Sequence, residues 1–242
     1  MKTSKIYSLW IIFRSGLTTL KTSLLAIYMQ LRKKNDRARV DQMIHDWVNQ
    51  LLKLVDVRCN VINPHHVIPQ KGRPTIIMCN HSSLYDIPIS YQAFPTSSIR
   101  MLAKKEMARI PLLSKAMRVA EFPFVNRRNR KEAIQDLAYA RELMESGIVI
   151  WIAPEGTRSH NGKLGSFKKG AFVMAIEAQA TIIPIGIRGA FNILPARTYQ
   201  FNLHQTAEIH IGQPVDTTTY TLETKEALIE KVHNIMKTLL GD

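Results

Sequence analysis

An imidazole and a carboxylate five residues apart, His81 and Asp86, follow directly on an apolar run from Thr75 to Cys79 that reads as a buried strand. A base and its orienting acid at a strand end are chemical equipment. In a regular helix, positions i and i+5 lie roughly 140° apart. His81 must therefore stand at or before a helix start, with Asp86 in the first turns folding back to it. An Asp that accepts from one ring nitrogen fixes the tautomer and leaves the other nitrogen free to take a proton from a hydroxyl. That is the base and orienter of a serine-hydrolase triad without its nucleophile. Ser82 and Ser83 adjoin His81, but the chain has no Gly-x-Ser-x-Gly elbow, so the nucleophile is expected to come from the substrate. The competing reading makes His81 a helix cap and Asp86 a solvated first-turn acid.

A second polar loop, Ala153-Pro154-Glu155-Gly156-Thr157-Arg158-Ser159, follows a second buried-strand pattern, Ile148 to Ile152, and ends in residues able to bind an anion. Two polar loops at the ends of two core strands point to one active site.

Two further short blocks complete a pattern. Asn80 to Asp86 is followed in order by Phe124-Val125-Asn126-Arg127, by Pro154 to Ser159, and by Ile183-Pro184-Ile185. With these four ordered blocks the chain resembles the glycerophospholipid acyltransferase family, most closely its bacterial 1-acylglycerol-3-phosphate members. The similarity runs from about residue 55 to 215 and includes Ala103-Lys104-Lys105-Glu106 and Phe167-Lys168-Lys169-Gly170. Two positions depart from the family pattern: Ala153 stands where a Phe opens the third block, and Glu121 where a Gly precedes the second block's strand. Both are expected to alter the pocket wall rather than the reaction.

The resemblance implies the reaction. His81, held by Asp86, would remove the proton from the free hydroxyl of lysophosphatidic acid, whose oxygen attacks an acyl thioester and yields phosphatidic acid. Acyl-CoA or acyl-carrier protein is the co-substrate, and no other cofactor or metal is implied. Arg127 and Arg158 are the candidate phosphate clamps, because a guanidinium matches phosphate oxygens bidentately and keeps its charge. Lys104 and Lys168 come next, and Glu155, Gly156 and Thr157 belong to acceptor binding. Glu155 has an alternative reading as a helix-start acid, and Arg128, Arg130 and Lys131 read as a solvated helix-start patch. Pro184 is expected to end or bend a strand at a sheet edge. Other acceptors remain open, among them glycerol-3-phosphate, a lysophospholipid and a lyso-ornithine lipid. So do a non-catalytic module that binds anionic lipid, and a hydrolase in which water replaces the acceptor.

Composition fits this reading. The 242 residues are 45% hydrophobic, enough for a substantial core, and carry a net charge of +14 with a pI near 9.9. Such a charge calls for an anionic partner. No recognition-helix, zinc-finger or aromatic RNA-binding signature occurs, so nucleic acid is not expected. Adjacent His65 and His66 cannot face one way on a strand, and His204 and His210 read as surface or edge residues away from any metal cluster. Cys59 and Cys79 are the only cysteines, which fits a reducing cytoplasm without disulfides.

Residues 1–37 have their own character. Ile6 to Leu31 is apolar, but Arg14, Gly16 and Lys21 interrupt it, and Arg32-Lys33-Lys34 closes it with a basic edge. A straight span needs about 20 mostly apolar residues, and a central cation costs about 2.5–3.5 kcal/mol. Two amphipathic helices, Ile6 to Phe13 and Leu17 to Leu31, are expected instead, lying in the interface of an anionic membrane at its cytoplasmic face. No small-residue cleavage site follows a clean apolar core. From Ala38 to Asp242 helix and strand alternate, which predicts one α/β acyltransferase domain with a mixed, largely parallel sheet flanked by helices.

Overall fold

The computed structural model describes residues 2–126 and 129–241. Two N-terminal helices, α1 (Lys5–Leu31) and α2 (Arg37–Leu54), precede strands β1 (Arg58–Ile62) and β2 (Thr75–Cys79). A short α3 (Asp86–Ser90), β3 (Ile99–Met101), β4 (Ala103–Lys104), a 3-10 turn at Lys105–Arg109, α4 (Leu113–Val119) and β5 (Phe124–Val125) follow. The second half comprises α5 (Arg130–Glu145), β6 (Val149–Ile152), α6 (Lys169–Glu177), β7 (Thr181–Arg188), α7 (Ala190–Ile193), β8 (Thr206–Ile211), β9 (Val215–Asp216) and α8 (Lys225–Leu240).

The main sheet has the order β1-β8-β7-β2-β6-β3, with β9 also on β7, while β4 and β5 form a separate parallel pair. Neighbours are parallel across β7-β2-β6-β3 and across β1-β8; only β7 with β8 and with β9 is antiparallel. The expected mixed, largely parallel sheet is therefore present. Every residue of β2 and β6 is buried, as in a parallel sheet covered on both faces. Alternation sends Ile77, Trp151 and Ile183 to one face, in a cluster with Val48 of α2, Ile89 of α3 and Met117 of α4. Ile76, Ile150 and Ile182 point the other way, into Met144 of α5, Phe172 of α6 and Val232 of α8. Arg100, 1% exposed, is joined to Asp41 at 2.7 Å and so fastens β3 to α2.

Two expectations need correction. The two N-terminal helices expected within residues 6–31 are one continuous helix, because Gly16 has an ordinary helical position with open space beside it and costs only about 1 kcal/mol there. The helix pair that the structure does form is α1 with α2, joined by Trp47 Nε1 donating to Thr19 Oγ1 at 3.1 Å. Pro184 is not at a sheet edge: it lies inside β7, between β2 and β8. It is tolerated because the antiparallel partner changes there, from β8 opposite residues 185–188 to β9 opposite residues 181–182, so no ladder donor is needed. His204 and His210 each pair with a single carboxylate, Asp56 at 2.6 Å and Glu208 at 2.9 Å.

Candidate active site

The site begins where β2 ends. The Asn80 side chain continues the β2–β7 ladder: its Oδ1 accepts from Ile187 N at 2.7 Å and its Nδ2 donates to Ile187 O at 3.0 Å. This pins the backbone immediately before His81. Asp86 opens α3 and is fully buried, and its Oδ2 accepts from three donors: His81 Nδ1 at 2.9 Å, Ser82 N at 2.6 Å and Ser83 N at 2.8 Å. The carboxylate thus shapes the loop and holds the ring together. Asp86 accepting at Nδ1 selects the tautomer whose Nε2 is an acceptor; among the described residues Nε2 has no hydrogen-bond partner, and the His81 side chain keeps 17% of its surface exposed. Asp86 is no solvated first-turn acid, so the cap reading falls.

Trp151, on β6, packs edge-on to His81 with ring centroids 6.1 Å apart. Its Nε1 donates to Ser90 Oγ at 2.8 Å, and that hydroxyl donates to the Asp86 carbonyl at 2.6 Å. Sequence reasoning passed over both residues, since a Trp within an apolar strand reads as core.

The second loop is stitched to the first. Glu155 is 5% exposed; its Oε1 accepts from His81 N at 2.8 Å and its Oε2 from Gly165 N at 2.9 Å. In return, Ser159 N donates to His81 O at 2.7 Å. Burial pushes the Glu155 carboxyl above its ordinary range, while the two backbone donors pull against that rise. Glu155 stands in a turn, closed by Gly156 N to Ala153 O at 3.0 Å, and not at a helix start. Gly156 has φ +74, which accounts for a glycine at that position.

The remaining predicted residues fall around this core. Arg158 is half-buried and lines a large cavity. Thr157 and the side chains of Lys104 and Lys168 are exposed, while Lys168 N donates to Pro154 O at 2.8 Å and so ties α6 to the loop. Arg127 lies outside the described residues. Among the described residues no cluster of three or more His, Cys, Asp or Glu is arranged to hold a metal.

The cavity, about 1050 Å³, is walled mainly by apolar side chains of α1, α2 and α4, and it reaches the His81 loop through Leu84, Tyr85 and Ile87. Ala153 and Glu121 are absent from its wall, contrary to expectation. Glu121 has φ +60, the conformation a glycine would take without strain, and its carboxylate reaches away to Arg37 of α2 at 2.7 Å.

The candidate site is thus a His–Asp pair, its carboxylate fully buried, at the strand ends of a largely parallel sheet with an apolar cavity beside it. Residues 58–188 match the Acyltransferase family, and the chain belongs to that family. It is 29% identical over 190 residues to mouse 1-acyl-sn-glycerol-3-phosphate acyltransferase alpha, covering 78% of this chain and 66% of that protein. To the human beta enzyme it is 30% identical over 183 residues, 75% of this chain and 64% of that protein. The chain thus spans slightly less than two thirds of these relatives. The crystal structure of the 1-acyl-sn-glycerophosphate acyltransferase PlsC from Thermotoga maritima shares the fold, with a TM-score of 0.77 at 23% identity over 96% of this chain and 92% of that one.

Proposed function

We propose that this protein transfers a fatty acyl group from an acyl thioester, acyl-CoA or acyl-carrier protein, to the free hydroxyl of lysophosphatidic acid, forming phosphatidic acid. The observation that carries the reading is His81, oriented by buried Asp86 with Nε2 free, on a loop that also walls an apolar cavity of about 1050 Å³. Ser83, one of the two serines that follow His81, donates its hydroxyl to Leu194 O at 2.9 Å.

In this reading Nε2 takes the proton of the acceptor hydroxyl as its oxygen bonds to the thioester carbonyl carbon. The tetrahedral intermediate collapses, the C–S bond breaks, and the imidazolium returns its proton to the departing thiolate. Asp86 stabilises the imidazolium and keeps the ring from turning. Arg158, with Arg127, Lys104 and Lys168, supplies the positive charge for the acceptor phosphate. Glu155 positions His81 through its backbone, and Gly156 gives the turn that allows it. Other lyso-acceptors remain the alternative substrates.

No described helix is long and apolar enough to cross a membrane. The exposed apolar side chains of α1, including Ile6, Leu9, Phe13 and Leu31, alternate with exposed Lys5, Arg14 and Lys21. This supports peripheral or monotopic attachment to an anionic membrane; the cytoplasmic face is part of the proposal. The function is tested by incubating the purified chain with radiolabelled acyl-CoA and a panel of lyso-acceptors. Labelled phosphatidic acid as the main product is the expected result; a labelled product from another acceptor reassigns the substrate, and free labelled fatty acid alone makes the protein a hydrolase.

A further inference from the structure

The mouth of the cavity is unusual for a soluble surface. Residues that both line it and are exposed come from separate segments: Ile12 and Leu20 of α1, Leu84 beside the catalytic loop, Ile110 and Leu112 before α4, and Tyr199. Ile110 is 49% exposed, Leu112 46% and Tyr199 77%. An apolar residue that lines a cavity and also meets solvent marks a rim, and this rim is apolar at several points of the chain. Isolated exposed hydrophobics are ordinary, but a contiguous group around one opening marks an interaction site.

Each of the two rim loops carries one non-glycine residue at positive φ. Leu112 has φ +32 and Arg197 φ +60, conformations that non-glycine residues rarely adopt. Helix α4, which Leu112 precedes, packs against α1, so the 110–112 loop lies beside the helix whose outer face is apolar. Exposed cations flank both loops, Arg109 and Lys115 around the first and Arg197 beside Tyr199 in the second. Apolar tips between cations match the boundary between acyl chains and anionic headgroups.

We infer that the Ile110–Leu112 loop and the Tyr199 loop are membrane-inserting elements that act with α1, seating the cavity mouth in an anionic bilayer so that acyl chains enter it without crossing water. The inference rests on the lipid-substrate reading above, and it adds that the rim, and not α1 alone, sets the depth and orientation of docking. An acidic protein would match the cations but would leave Ile110 and Leu112 without an apolar partner.

The test uses the full chain with a Cys59→Ser background, in which an environment-sensitive fluorophore is attached at Leu112→Cys, Tyr199→Cys or, on α1, Phe13→Cys. Vesicles of phosphatidylcholine and phosphatidylglycerol carry a lipid-borne quencher. The expected result is a blue shift and quenching at all three positions, with unchanged melting temperature. The double variant Ile110→Asp/Leu112→Asp should weaken vesicle binding at least about tenfold, since binding follows buried apolar area. Quenching at residue 13 with solvent-like signals at 112 and 199 would overturn the inference, as would no signal at any position. These readouts involve no catalysis, so absence of acyl transfer with quenching intact would refute the enzymatic reading alone.

Discussion

Glu155 accepts the backbone N–H of His81 at 2.8 Å, so the acid of one sequence block holds the base of another, 74 residues away. Its second oxygen holds Gly165, and the reciprocal bond from Ser159 N to His81 O closes the arrangement. The position of the proposed base is therefore set by two loops at once.

Glu155→Gln should separate these loops. An amide has one acceptor oxygen where the carboxylate has two, so either His81 N or Gly165 N loses its partner, at a cost of about 1–3 kcal/mol. The pH dependence should change as well. Because the folded carboxyl titrates above its ordinary 4.5, the folded state holds that proton more tightly than the unfolded state. Its stabilising contribution is complete below 4.5 and is lost as pH rises through the folded value. Denaturant unfolding from about pH 4 to about pH 8 should show this decline in the wild type and a smaller one in the variant; parallel curves would refute the assignment.

Asn80→Ala should destabilise the fold by about 2 kcal/mol or more. It leaves the N–H and C=O of Ile187, a buried residue of β7, without partners. Urea midpoints at constant m-value measure this, and a change under about 0.5 kcal/mol would show that the side chain does not extend the ladder.

Much of this architecture was legible in the chain. β2 and β6 are covered on both faces, so they read as unbroken apolar runs, and the spacing of His81 and Asp86 excluded a mid-helix placement. The edge strand β1, with Arg58, Asn60 and Val61 exposed, has no such run and carries no strand signal. The links from Asn80 and Glu155 were hidden because their partners are 107 and 74 residues away. The cavity was hidden for the same reason, since α1, α2 and α4 build it only when packed together. Gly16 and Pro184 misled because each is a breaker only on average: open space beside one, and a change of partner strand beside the other, remove the penalty.

Arg158→Lys should raise the KM for the lyso-acceptor about tenfold, the equivalent of one lost charge-assisted bond of about 1.5 kcal/mol, and leave the thioester KM within about twofold. Steady-state kinetics with each substrate varied in turn checks this. Equal losses for both substrates would count against a phosphate clamp at Arg158.

Trp151→Phe keeps a ring against His81 but removes the donor to Ser90, and with it a support of the Asp86 backbone. Turnover should fall while the KM values hold. Turnover equal to the wild type would make Trp151 a packing residue only.

The proposed transfer requires His81 as base toward a substrate hydroxyl. Single-turnover acyl transfer by His81→Ala, with membrane binding and melting temperature unchanged, is the most direct measurement. The predicted rate is lower by a factor of about 10² to 10⁴, the range for a positioned general base, with Ser82→Ala and Ser83→Ala retaining most activity. A His81→Ala rate within about threefold of the wild type, or a covalent acyl-enzyme that vanishes in either serine variant, would contradict direct transfer.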